Sequence, residues 1–108
     1  MKLLESIKIG DVQLKNSLAM APMTRSRANQ QGVVQDIMTT CYQQRATAGL
    51  IISEAVNISE QAIGSPFTPG LCTEEQVAAW KKVTDAVHKK GGVIYAQLWH
   101  YRQWWLQP

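Results

Sequence analysis

Leu50-Ile51-Ile52-Ser53-Glu54-Ala55-Val56, Thr73-Glu74-Glu75-Gln76 and Gly91-Gly92-Val93-Ile94-Tyr95-Ala96-Gln97-Leu98-Trp99 are the stretches that decide the fold. The first and last are almost continuously apolar and rich in branched and aromatic residues, the pattern of strands buried on both faces. Between them, Thr73 to Gln76 reads as a capping box: the Thr73 hydroxyl can accept the Gln76 amide, and Gln76 can reach back. Glu74 and Glu75 suit the positive end of the helix dipole, and Lys89 and Lys90 the negative end. Val77, Trp80, Val83 and Val87 supply an apolar stripe, and Gly91-Gly92 terminates the helix. Strand, helix and strand in this order predict parallel strands joined by a right-handed crossover.

Upstream the same unit recurs. Residues 35–48 read as a helix whose face carries Ile37, Met38, Cys41, Tyr42 and Arg45, with Gly49 as its stop. Residues 17–23, Ser-Leu-Ala-Met-Ala-Pro-Met, read as another buried strand. Pro22 lacks a donor and belongs at that strand's C-terminal end. The opening Ile7-Lys8-Ile9-Gly10-Asp11-Val12-Gln13-Leu14 reads as a hairpin, with Gly10 at the first central position of a type II′ turn. Residues 25–32 and the stretch with Gly64, Pro66, Pro69 and Gly70 read as loops. The order is hairpin, strand, helix, strand, helix, strand. It fits a doubly wound sheet or a (β/α)₈ barrel, and pattern alone does not separate them. The first βα turn, Ala21-Pro22-Met23-Thr24-Arg25-Ser26, has no glycine, which removes the usual dinucleotide cradle.

At 108 residues the chain is one small domain or a piece of a larger one. With 45% hydrophobic and 18% charged residues, disorder is not the default. The net charge of +3 is spread among interleaved acids and bases, so no basic stripe points to nucleic acid. Cys41 and Cys72 stand in no metal spacing and no disulfide framework; they are expected to be buried or half-buried thiols in a reducing compartment. The N-terminus lacks the apolar run of a signal peptide, and no stretch approaches the length of a membrane helix. The cytoplasm is the expected location.

In parallel α/β architectures function collects at the C-terminal ends of strands. Pro22-Met23-Thr24, Ser53-Glu54-Ala55 and Gln97-Leu98-Trp99-His100 fall there. They offer a hydroxyl, a carboxamide, an indole, an imidazole and close-approaching backbone. They hold no carboxylate pair, metal cluster or Ser–His–acid set, so a flat, polar-edged heterocycle suits this rim better than hydrolysis does. Taken singly, Met20 and Met23 read as core methionines, Thr24 as a turn residue, Gln97 as a strand residue and Trp99 as a packing anchor. His88 reads as a solvated helix residue. Joint placement at three strand ends is what raises the rim residues above that background.

Met20-Ala21-Pro22-Met23-Thr24-Arg25-Ser26-Arg27 resembles the first-strand signature of the old yellow enzyme family of FMN-dependent ene-reductases. Tyr42, Arg45 and Ala48-Gly49-Leu50-Ile51-Ile52-Ser53-Glu54-Ala55 resemble its first helix and second strand. Thr68-Pro69-Gly70, Glu75-Gln76, Ala79-Trp80 and Val83-Thr84-Asp85-Ala86-Val87-His88 resemble the next loop and helix, and Gln97-Leu98-Trp99-His100 the third strand. Thr24 stands where the thermophilic-like branch has cysteine. The resemblance implies that residues 1–108 form the N-terminal portion of an FMN-binding TIM barrel, α/β in class.

It further implies that Ala21, Pro22, Met23 and Thr24 lie along the flavin, with the Thr24 hydroxyl on the isoalloxazine O4. Ala55 would offer backbone to the ring, Gln97 would hold its pyrimidine edge, and Trp99 would line the substrate pocket. NADPH or NADH would reduce FMN, and hydride would pass to an enone or maleimide-like alkene. The family's substrate-anchoring pair, proton-donating tyrosine and phosphate loops come later in its chains, so no catalytic residue is assigned within these 108. The 108 residues alone are expected to be inactive, and open strand edges to favour self-association. The alternative reading is a non-catalytic α/β piece that joins a partner chain through its sheet edge. Agreement with the family stops after His100, and Ser65 stands where the family often has tyrosine.

Overall fold

The computed structural model describes residues 2–59 and 67–100. Ser65 and the divergent stretch after His100 lie outside the described residues. After a short 3-10 helix at Lys2–Leu4 come β1 (Ile7–Ile9), β2 (Val12–Leu14), β3 (Ala19–Met20), α1 (Asp36–Gln44), β4 (Leu50–Asn57), α2 (Glu74–Lys89) and β5 (Ile94–Trp99).

The hairpin forms as read: β1 pairs antiparallel with β2, Ile9 opposite Val12. Gly10 has φ of +57° while Asp11 stays out of the positive-φ region, the combination a type II′ turn needs. Among the described residues, β3, β4 and β5 form one parallel sheet in that spatial order. The ladder of β3 is only Ala19–Met20, shorter than the 17–23 run predicts. Its backbone leaves the sheet at Ala21, ahead of Pro22, and becomes loop.

α1 is also shorter than its apolar pattern. It ends at Gln44, and residues 45–48 continue as tight turns, with the amides of Arg45, Ala46 and Ala48 bonding carbonyls three residues back. Its buried face is Met38 and Tyr42, while Ile37 is exposed. α2 matches its signals closely. The Thr73–Gln76 capping box is present in both directions. At the other end the Gly92 amide reaches the Val87 carbonyl and the Gly91 amide the His88 carbonyl, with Gly91 at φ +78°. That is a Schellman motif, and glycine permits its left-handed residue. The buried face is Gln76, Trp80, Val83 and Val87; Val77, expected in the stripe, is 51% exposed. Gln76, a polar residue, takes a buried position on that face instead. Cys41 is half-buried, and Cys72 is exposed rather than enclosed.

Both helices cover the same face of the sheet. One core joins Val34, Met38, Tyr42 and Ala46 to Ile51 and Val56 of β4 and to Trp80, Val83 and Val87 of α2. The rings of Tyr42 and Trp80 lie 6.0 Å apart. Helices on one side of three sequential strands are common to the first half of a doubly wound sheet and to a barrel segment, so topology alone leaves both open.

Candidate functional site

The face of the sheet away from the helices carries the rim residues, and a bulge in β4 puts them there. Ile51 pairs with Ile94 and Ile52 with Tyr95, but the next partners are Ala55 with Gln97 and Asn57 with Trp99. Ser53 and Glu54 thus stand opposite one residue, Ala96. The Ser53 side chain repairs the ladder: its hydroxyl accepts from the Gln97 amide at 3.3 Å and donates to the Glu54 carbonyl at 2.8 Å. The extra residue reverses the in-out parity of the strand. Ile51 and Val56, five positions apart, both enter the helix-side core. Ala55 and Asn57 are left on the opposite face, beside Gln97 and Trp99.

On that face Ala55 is 4% exposed, Gln97 is exposed and Trp99 half-buried. In β3, Met20 packs toward the core, so alternation gives Ala19 and Ala21 to the opposite face. Pro22, half-buried, and Met23 and Thr24, exposed, follow in the loop beyond the strand. Among the described residues, neither the Thr24 hydroxyl nor the Gln97 carboxamide has a hydrogen-bond partner. The loop is shaped by Ser26, held at φ +53°, and by the Ala28 amide bonding the Phe67 carbonyl at 3.1 Å. Register thus brings Ala55, Gln97 and Trp99 together, with Ala21 to Thr24 at the end of the neighbouring strand.

Two groups were missed by sequence reasoning. The first is a buried pair behind the rim. Tyr42 Oη donates to Glu54 Oε2 at 3.1 Å and accepts from the Glu54 amide at 2.9 Å. Glu54 is 3% exposed, and its Oε1 has no hydrogen-bond partner. Burial pushes the Glu54 carboxyl above the usual range, with the Tyr42 hydroxyl and Arg25 pulling the other way. Burial likewise pushes the Tyr42 hydroxyl well above the ordinary tyrosine range. Glu54 lines a cavity of about 230 Å³ on the helix side, with Arg25, Arg27, Cys41 and Tyr42. The second is the loop clamp around Gln76 and Asn57. Gln76 Oε1 accepts from the amides of Cys72 and Thr73, and its Nε2 donates to the Gln31 carbonyl at 2.8 Å. No sequence signal marks the bulge that gives Asn57 its direction.

The fold is a parallel β/α arrangement whose strand ends share one helix-free face. The chain belongs to the NADH:flavin oxidoreductase / NADH oxidase family, whose model matches residues 2–103. A chanoclavine-I aldehyde reductase of Penicillium roqueforti is 49% identical over 100 residues, 91% of this chain and 27% of that protein. The 12-oxophytodienoate reductase 1 of Oryza sativa subsp. japonica is 44% identical over 99 residues, covering 91% and 26%. The old yellow enzyme homologue of Zymomonas mobilis has the same fold over 93% of this chain and 28% of its own, with a TM-score of 0.89 at 49% identity. This likeness decides the architecture: the strands and helices are the N-terminal part of a (β/α)₈ barrel. The chain spans about a quarter of the length of the curated relatives it matches.

Proposed function

We propose that residues 1–108 form the N-terminal portion of an FMN-binding barrel domain and supply one wall of its flavin site. The observation that carries this is the bulge-directed pairing of Ala55 with Gln97 on the helix-free face, in a chain of a flavin oxidoreductase family. Ala55 has no side chain beyond Cβ, so a flat ring can approach its backbone. The Gln97 carboxamide both donates and accepts, which matches the imide edge of isoalloxazine. The Thr24 hydroxyl would donate to the ring carbonyl at O4, and Ala21, Pro22 and Met23 would lie along the ring.

When bound, FMN would supply hydride chemistry between NADPH or NADH and an activated alkene such as an enone. The residues of this chain contribute binding and orientation, with Trp99 shaping the substrate side. The donor groups that complete catalysis are not among these residues, so this segment by itself holds a ring face and no reaction.

Titrating the chain with FMN and following flavin fluorescence tests the reading. Quenching that weakens about tenfold in Gln97→Leu and in Thr24→Val supports it; quenching equal in parent and variants removes these residues from the site. A second reading, association with a partner chain through the sheet, draws on Leu98 and Tyr95, which are 59% and 50% exposed on β5. Size-exclusion chromatography at increasing concentration separates it from a monomer.

A further inference from the structure

We propose that Asn57 is a positioning residue for Trp99, fixing the plane of its indole at the rim and tying it to the loop that leads into α2. The proposal rests on the reading above that Trp99 shapes the substrate side. Asn57 is 1% exposed, at the C-terminal end of β4, and is the register partner of Trp99. Its Oδ1 accepts from Trp99 Nε1 at 2.6 Å. Its Nδ2 donates to Thr68 Oγ1 at 2.9 Å and to the Pro69 carbonyl at 3.1 Å. Its amide donates to the Pro69 carbonyl, and its carbonyl accepts from the Leu71 amide.

Chemistry fixes which way this side chain faces. The indole N–H can only donate, and the Pro69 carbonyl can only accept. A flipped carboxamide would set donor against donor and acceptor against acceptor. The amide therefore has one satisfied orientation, and in it the indole has one satisfied direction. The hold extends further: Leu71 leads to Cys72 and Thr73, whose amides Gln76 gathers while it also grips Gln31. Trp99 is thus linked through Asn57 to both loops beside the rim.

The test is the indole N–H of Trp99 in the ¹⁵N-labelled chain, assigned through Trp99→Phe. The Trp80 indole, 7% exposed in the core, reports whether the fold persists. Asn57→Leu removes acceptor and donors; Asn57→Asp keeps an acceptor oxygen. The expected result is slow indole exchange in the parent, about tenfold faster exchange in Asn57→Leu, and protection retained in Asn57→Asp, with Trp80 unmoved. Equal exchange in all three overturns the proposal. Equal loss in both variants, with Trp80 unmoved, also overturns it, because Asn57 would then act only as a loop brace through its donors. Should Asn57→Leu disturb Trp80, the parent and Asn57→Asp decide: exchange as fast as in free tryptophan overturns the proposal, and shared protection supports it. The flavin reading fails separately, if FMN leaves the Met23, Thr24, Ala55 and Gln97 amides unmoved while the indole remains protected.

Discussion

Glu54 is the residue at which burial and chemistry oppose each other most sharply. Its carboxyl lies between the Tyr42 hydroxyl and the helix-side core, with one oxygen unpaired. Desolvation is the largest influence on it and raises its pKa from 4.5. The folded chain therefore binds this proton more tightly than the unfolded chain does. Its contribution to stability is complete below about pH 4.5 and is lost as pH rises through the raised folded value. Glu54→Gln, which carries no charge, should be more stable than the parent at neutral pH, and the difference should vanish on acidification. Urea midpoints across that range measure it; a constant difference would mean that folding does not shift the Glu54 carboxyl. Tyr42→Phe acts oppositely, since it strips a partner from both the Glu54 carboxyl and the Glu54 amide. A loss of about 1–3 kcal/mol is expected at neutral pH, the range for buried groups left unpaired. The sequence shows Tyr42 and Glu54 as members of a helix and a strand; that they meet follows only from the crossover that lays α1 over β4.

Among the elements, α2 was the most legible because its boundaries are written in local chemistry. Thr73, Gln76, Gly91 and Gly92 act within one turn of their own positions, so spacing alone reveals them. The limits of β3 and α1 were less legible because the backbone between them is set by distant contacts, such as Ala28 on Phe67. The β4 bulge was illegible: Ser53-Glu54 reads as regular strand, and only pairing with β5 shows the extra residue. Gln76 was visible as a cap and hidden as a clamp. Two substitutions separate those roles. Thr73→Ala loses the cap hydroxyl and should cost about 1 kcal/mol. Gln76→Leu leaves the Cys72 and Thr73 amides and the Gln31 carbonyl without their partner, and should cost more than Thr73→Ala. Equal urea midpoints for the two variants would mean that the clamp adds nothing beyond the cap.

For the molecule as a whole, the parallel order of strands was readable from the alternation of apolar runs and capped helices. The choice between barrel and doubly wound sheet was not, since three strands stepping one way place both helices on one face in either case. Likeness to solved barrels over most of this chain settles it. Among the described residues, no helix is long and apolar enough to cross a membrane. The strand-end positions were legible in the sequence, while the face that Ala55 and Asn57 take depended on the bulge. The proposed function requires that the helix-free rim receive the flavin ring. The measurement that tests it most directly is the amide spectrum of the labelled chain with FMN and, separately, with riboflavin. Shifts concentrated at Met23, Thr24, Ala55 and Gln97, of similar size for both ligands, are expected, because the proposed contacts are all to the ring. No shifts at these amides, or shifts confined to the helix-side cavity beside Cys41 and Glu54, would contradict it.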